Sequence, residues 1–330
     1  MKVKFHGQIS ESRKQPGSGA QGASLGNHEF ISQTNNNADS VPEEDRYKFV
    51  DDLSCLEIIN LLSIGLASHN FRQQVPSDIP SHGQIINSEH LKTQKYLNEI
   101  SRWTTTQKMF LNGKKTKAMI VNFTQNYQFT TRLRLKSTNL DIVDSMKILG
   151  TILNNKLDWN ENCKNLINKV NKIMLFLRKI RSFGASQSDM VHLWVVYCRS
   201  VLEQSAVLWQ GGLTQENRES LERTQKSFVK LILKGNNSNY ETLLDQLNLT
   251  TLDKRRDILS LRWAKKCLSN EKTTKMFPIN KKYYNTRHKE KYTVFNANTE
   301  RMKNSPFIYM QHLLNKDHEE EGTPFARQKN

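Results

Sequence analysis

Asp51 and Asp52 stand side by side between two apolar stretches, in the run RYKFVDDLSCLEI from Arg46 to Ile58. Adjacent carboxylates repel, and two arrangements give that repulsion a use. One is a solvated turn. Tyr47–Val50 alternates as a strand does, Leu53–Leu56 returns as a second strand, and the aspartates connect them tightly while accepting from nearby backbone N–H groups. The other is metal: carboxylates on a rigid hairpin can hold Mg²⁺ against substrate phosphates, as nucleotidyl transfer requires.

The surrounding elements bear on that choice. Residues 1–45 are polar and rich in Gly, Ser and Asn, and they include KQPGSGAQGASLG from Lys14 to Gly26. Gly17-x-Gly19-x-x-Gly22 formally matches a dinucleotide loop. However, the segment before it is too long for a direct strand-to-helix turn, and no acidic residue ends a second strand at the usual distance. The glycines mark a loop where backbone comes close to another group, and a short helix is predicted over Ala23–Asn35. After the hairpin, His69–His90 reads as loop, with two prolines and no periodicity. Leu91, Tyr96, Leu97, Ile100 and Trp103 are at helical spacing, Lys117–Phe123 reads as a strand, and Lys147–Trp159 as a strand or hairpin.

From Asn160 the pattern becomes helical. NLINKVNKIMLFLRKI places its apolar residues on one stripe with lysines opposite. Further helices are predicted near Ser188–Trp209, Gln215–Leu233, Tyr240–Leu247 and Leu252–Leu268, with Ser188 or Asp189 capping the first and Thr214 the second. Trp159, Trp194 and Trp209 are assigned to the core. The tail after Met276 is basic and irregular, with a short helix near Pro306–Leu314. The fold class is therefore α+β, divided as 1–45, 46–159, 160–275 and 276–330, with a helical region after an α/β region.

Across 330 residues, 49 Lys and Arg face 32 Asp and Glu, a formal charge of +17. Such an excess opposes folding by self-repulsion and suits a polyanionic partner: nucleic acid first, an acidic membrane surface second. No stretch reads as a membrane span, since Arg199 and Glu203 interrupt the longest candidate, Met190–Trp209. The N-terminus has no apolar core for a signal peptide. Cys55, Cys163, Cys198 and Cys267 lie far apart without zinc spacing. They read as reduced thiols of an intracellular protein, cytoplasmic or nuclear.

The order of these pieces resembles the reverse transcriptases of non-LTR retrotransposons, particularly the jockey-like group. The resemblance rests on AQGASLG (Ala20–Gly26), FVDD (Phe49–Asp52), LNGKKTKAMIVNF (Leu111–Phe123) and KILGTIL (Lys147–Leu153), and continues through Arg199–Leu233. It implies a partial polymerase palm, an antiparallel sheet with helices, followed by an all-helical thumb and C-terminal region. It implies Asp51 as the principal metal ligand and Asp52 as the second, both catalytic, with Mg²⁺ (or Mn²⁺) as cofactor. Gln21 and Gly22 would shape the nucleotide pocket, with Lys114, Lys115 and Lys117 near the triphosphate. A solvated edge accounts for these lysines equally well. Leu149 and Gly150 would grip the primer end. The implied partners are an RNA template, a DNA primer and deoxynucleoside triphosphates.

Two departures from the family pattern matter. Ala20 replaces the proline usual before Gln-Gly. The family's other metal-binding aspartate, in a D-x-x-x-x-[FY]-D-like motif upstream of the loop, has no counterpart; Asp141–Ser145 and Asp253–Asp257 have the wrong spacing or context. The expectation is a polymerase fragment, inactive alone, with half of a two-metal site. The alternative is a non-catalytic, basic nucleic-acid-binding protein derived from such an element.

Overall fold

The structure is a computed structural model, and it describes residues 4–5, 8–9, 42–49, 52–59, 84–86, 91–123, 129–234, 238–280 and 291–322. The chain is α+β, predominantly helical with small sheets. It forms two compact units, Met1–Asp144 and Ser145–Asn330.

In the first unit, β1 (Lys4–Phe5) pairs with β2 (Gln8–Ile9). The alternating run around the aspartates forms an antiparallel hairpin of β3 (Arg46–Phe49) and β4 (Asp52–Cys55). Phe49 lies opposite Asp52, so Asp52 begins the second strand and does not sit in the connection. Next come β5 (Gln84–Ile86), inside the segment read as loop, and α1 (Lys92–Thr106). The N-cap of α1, Leu91, has no side-chain acceptor to offer. Glu57 takes that role from 35 residues away, accepting from Lys92 N–H (3.0 Å), Thr93 N–H (2.9 Å) and the Thr93 hydroxyl (2.7 Å). A carboxylate there satisfies orphan donors and complements the helix dipole.

The inner face of α1 buries Tyr96 and Ile100 against Leu53, Cys55 and Leu111, so the hairpin packs on the helix. The Tyr96 hydroxyl donates to Asp45 at 2.8 Å. Burial, with that carboxylate second, pushes the phenol up to about 12.

The predicted strand Lys117–Phe123 shortens to β6 (Lys117–Ala118). Its ladder with β10 is only two residues long, so Met119–Phe123 runs outside it. Then come β7 (Phe129–Thr131), which pairs in parallel with β5, the small hairpin of β8 (Arg134–Leu135) and β9 (Thr138–Asn139), and β10 (Asp141–Ile142), parallel to β6. Among the described residues the strands form six separate two-stranded ladders.

The second unit opens with the hairpin β11 (Ser145–Ile148) and β12 (Thr151–Asn154), then α2 (Asn160–Ser182). On α2, Cys163, Leu166, Val170, Met174 and Leu177 are all buried, at steps of three and four residues. A long helix follows as α3 (Gln187–Leu193), a π turn (Trp194–Arg199) and α4 (Ser200–Leu202). Its cap is Ser186, whose hydroxyl accepts from Asp189 N–H at 3.1 Å. That places the cap two residues before the nearer predicted position. Met190, Trp194, Cys198 and Leu202 are buried at a constant spacing of four; the π turn keeps that row facing inward.

The helical run breaks at Ser205, which is left-handed (φ 53°), before α5 (Ala206–Trp209). Thr214 caps α6 (Gln215–Ile232), as its residue type predicts, accepting from Asn217 N–H at 3.3 Å. Trp194 stacks on Phe228 of α6 with ring centroids 4.4 Å apart. Trp194 and Trp209 are fully buried, and Trp159 packs against the same core.

Then come α7 (Tyr240–Gln246), α8 (Leu252–Leu268), α9 (Glu271–Thr274), α10 (Glu300–Lys303) and α11 (Pro306–Gly322). The last is longer than Pro306–Leu314 and fixes the chain before it with two buried amides. Asn315 accepts from Tyr292 N–H at 2.9 Å and donates to its carbonyl at 3.0 Å, while Gln311 donates to the Met276 carbonyl at 2.9 Å.

Candidate nucleic-acid interface

Gln21, Gly22 and Asp51 lie outside the described residues, and Asp52 is placed only as the first residue of β4, opposite Phe49. Lys114 and Lys115 sit in a turn closed by Lys115 N–H on the Asn112 carbonyl at 3.0 Å. Both are exposed, as is Lys117 on β6. The first unit brings two of the predicted pieces together. Leu53 and Cys55, just after the aspartates, share a packed cluster with Leu111, just before the lysine turn.

Leu149 and Gly150 belong to the second unit, at the tip of the β11–β12 hairpin. Both are left-handed, with φ of 46° and 90°. Two-residue hairpin turns with positive φ at both positions match the strand twist but strongly prefer Asn-Gly. A leucine there is strained, and its side chain is 53% exposed.

A basic surface lies on α2. Opposite the apolar stripe, Lys164, Lys172, Arg178 and Lys179 are exposed, and the acid on that face, Glu161, is at the helix N-terminus. At 100° per residue Leu175 and Phe176 also fall away from Met174, and both are 63% exposed. That spacing was available in the sequence, where these two read as part of the apolar stripe.

The helices α2 and α6 run in the same direction. At their N-terminal ends the Asn217 amide donates to the Asn160 side-chain oxygen at 2.6 Å. At their C-terminal ends a cleft of about 550 Å³ is lined by Arg178, Arg181, Ser182, Gly184, Leu231 and Lys234.

Beneath α5 lies a buried polar network that sequence periodicity did not indicate. The Gln210 amide donates to Asp253 (2.9 Å) and Asp257 (2.8 Å), while its oxygen accepts from Arg256 Nε at 2.6 Å. Arg218 pairs with Asp253 at 2.5 Å, and Tyr309 donates to Asp257 at 2.5 Å. The Arg256 guanidinium is fully buried and lies 5.5 Å from the Trp209 ring. Gly211 and Gly212 let the chain pass: a Cβ would come within 2.7 Å of Tyr309 at the first and of the Trp159 ring at the second. The network ties α5, α6, α8 and α11 together, so its role is to hold the scaffold, although both terminal nitrogens of Arg256 are buried without a hydrogen-bond partner among the described residues.

Cys163, Cys198 and Cys267 are buried free thiols, and desolvation pushes Cys163 up to about 11 and Cys198 up to about 12. Nucleophilic use needs the opposite shift. Among the described residues, no three His, Cys, Asp or Glu side chains gather as metal ligands, and no helix is long and apolar enough to cross a membrane. No protein-family model matches the chain, and neither a curated protein nor a solved structure shows significant similarity to it.

Proposed function

We propose that the chain is a reverse-transcriptase-like fragment that binds nucleic acid without sequence preference, its main contact being the exposed cationic face of α2. One observation carries this reading: Lys164, Lys172, Arg178 and Lys179 share one solvent face, with a single carboxylate at its far end. Phosphates are the fitting partner, because a regular row of cations releases condensed counterions on contact and needs no base-specific geometry.

The polymerase ancestry draws support from smaller features. Asp52 opens β4 of a hairpin that packs on α1, and Leu111, just before the lysine turn, packs in the same cluster. Leu149 presents an exposed apolar side chain on a strained turn, as a primer grip would. In that reading Asp51 and Asp52 would hold Mg²⁺, or Mn²⁺ in its place, and the ion would supply charge stabilisation to the transferring phosphoryl group. RNA template, DNA primer and deoxynucleoside triphosphates are the corresponding partners. The catalytic step needs a further carboxylate, so binding is the activity expected of this chain by itself.

The test is a titration of the chain with duplex DNA over a range of salt. Four cations on the contact face predict a slope of log K against log salt of about −3 to −4. The triple variant Lys164→Gln, Lys172→Gln, Lys179→Gln should reduce it by about 2 to 3. Salt-independent binding, or an unchanged slope in a folded triple variant, would contradict the reading.

A further inference from the structure

The cleft at the ends of α2 and α6 differs from the rest of the basic face. The bland account of its cations is compensation of helix dipoles, and magnitudes decide against that as a full explanation. Each helix C-terminus carries roughly −0.5 charge, so two parallel ends amount to about −1. Arg178, Arg181 and Lys234 bring three positive charges, and among the described residues no carboxylate lines the cleft. Of these cations Arg181 is engaged with backbone, donating to the Ala185 carbonyl at 2.6 Å. The site therefore keeps a net positive charge; the Ser182 hydroxyl is already committed, donating to the Lys179 carbonyl at 2.7 Å. Its charge suits a phosphate group, and its volume leaves room for more than that group alone.

An exposed aromatic residue adjoins it in the chain. Phe183 lies between two lining residues, Ser182 and Gly184, and is 78% exposed. Its backbone is the C-cap of α2, held by N–H bonds to the Ile180 carbonyl (3.1 Å) and the Lys179 carbonyl (3.3 Å). Gly184 then turns left-handed at φ 91° and leads the chain away. Phe183 does not itself line the cleft, but its backbone is fixed between two residues that do, and its ring is exposed to water. An aromatic face can stack on an unpaired base; in a duplex those base faces are already covered by their neighbours.

We propose that this cleft seats a phosphate of a single-stranded nucleic acid, with the adjoining unpaired base stacked on Phe183. The assignment rests on the nucleic-acid reading above and narrows it: the lysine face holds any backbone, and this end selects single strands. Lys234 comes from α6 and Arg178 from α2, so the seat exists only when the two helices pack in parallel. The second unit's core thus positions it.

The test compares a short labelled oligothymidine with a duplex of equal length, using the full chain. Phe183→Ala should weaken oligothymidine binding about five- to hundredfold, the loss of one stacked base, and leave duplex binding unchanged. Phe183→Trp should retain the preference. Arg178→Gln with Lys234→Gln should lower the single-strand salt slope by about 1.4, two phosphate contacts at about 0.7 each. Thermal melting checks that each variant is folded; Phe183 is exposed, so the fold does not depend on it.

Equal loss on both ligands from Phe183→Ala, or no loss on either, overturns the proposal. If the Lys164, Lys172, Lys179 triple variant loses binding while the cleft variants match wild type, the general interface stands and this site falls. If the chain binds neither ligand, both fall. Inorganic phosphate supplies the last arm. If it saturates the cleft without displacing oligothymidine, the site takes free phosphate and the strand assignment is wrong.

Discussion

Gly150 runs against the side chain of Gln204: a Cβ built at this glycine would lie 2.2 Å from the Gln204 amide nitrogen, which itself donates to the Leu149 carbonyl at 3.4 Å. The hairpin tip is thereby docked on the segment that breaks the helical run. Two costs separate here. Gly150→Ala should destabilise by about 1–2 kcal/mol from the positive φ alone, and this part should survive in the Gly150→Ala, Gln204→Ala double variant. Chemical denaturation of the four members of the cycle measures the split; complete rescue by Gln204→Ala would show that contact, not backbone strain, sets the cost.

Leu149, one residue earlier, gives the opposite sign. Asparagine tolerates the left-handed region better than leucine, so Leu149→Asn should stabilise by up to about 1 kcal/mol. If the exposed leucine grips a primer terminus, the same variant should bind primer–template more weakly while melting at a higher temperature. A rise in stability with unchanged binding would reduce Leu149 to a tolerated defect.

Asp253 links the buried network to pH. Burial raises its pKa, but the Gln210 amide and the Arg218 and Arg256 guanidiniums outweigh that and hold it below the usual 3.8. A depressed carboxylate contributes stability that is fully present above its unfolded value and disappears as pH falls through the folded one. The difference between wild type and Asp253→Asn should therefore be constant near neutrality and shrink as pH drops below about 3.8. Urea midpoints across that range test this, and a gap that widens in acid would contradict it.

Trp194 stacks on Phe228 at 4.4 Å, yet its indole N–H is buried without an acceptor among the described residues. The ring, not the N–H, should carry the stabilisation. Trp194→Phe, which keeps one ring in the stack, is expected to cost clearly less than Trp194→Ala, for which about 3–5 kcal/mol is expected. Similar losses for both in equilibrium unfolding would mean that the indole nitrogen has a partner, such as a buried water.

How much of this was legible in the sequence depends on the range of the interaction. The helix α2 was readable because its apolar residues recur at a fixed step, and Thr214 because a cap is a local chemical choice. The Glu57 cap of α1 was not, since its partners lie 35 and 36 residues away. The Gln210–Arg256 network was hidden for the same reason: polar residues inside helical stretches look like solvated faces until tertiary packing brings them together. Strand Lys117–Phe123 was overread because apolar content alone does not say how long a ladder partner will be. For the site, the lysine face followed from spacing, whereas the cleft needed two helices side by side.

Catalysis gives the last prediction. The purified chain with Mg²⁺, primer, template and deoxynucleotides should show no primer extension. In-line phosphoryl transfer needs metals clamped by carboxylates from more than one segment. In the reading proposed above Asp51 and Asp52 would be one such pair, and no segment of the 330 residues has the D-x-x-x-x-[FY]-D pattern; Asp39 and Asp45 have its spacing but carry Glu44 at the aromatic position. Removing a member of a set that works as a unit takes away most of the rate, so the deficit should be several orders of magnitude and not a partial loss. Joining a finger region that carries the missing aspartate motif should restore extension. In that fusion Asp51→Ala should abolish it, while Lys117→Ala, which removes one exposed cation, should only slow it. Extension by the 330-residue chain alone, lost on Asp51→Ala, would refute the incomplete-site reading and require a third carboxylate ligand within this sequence.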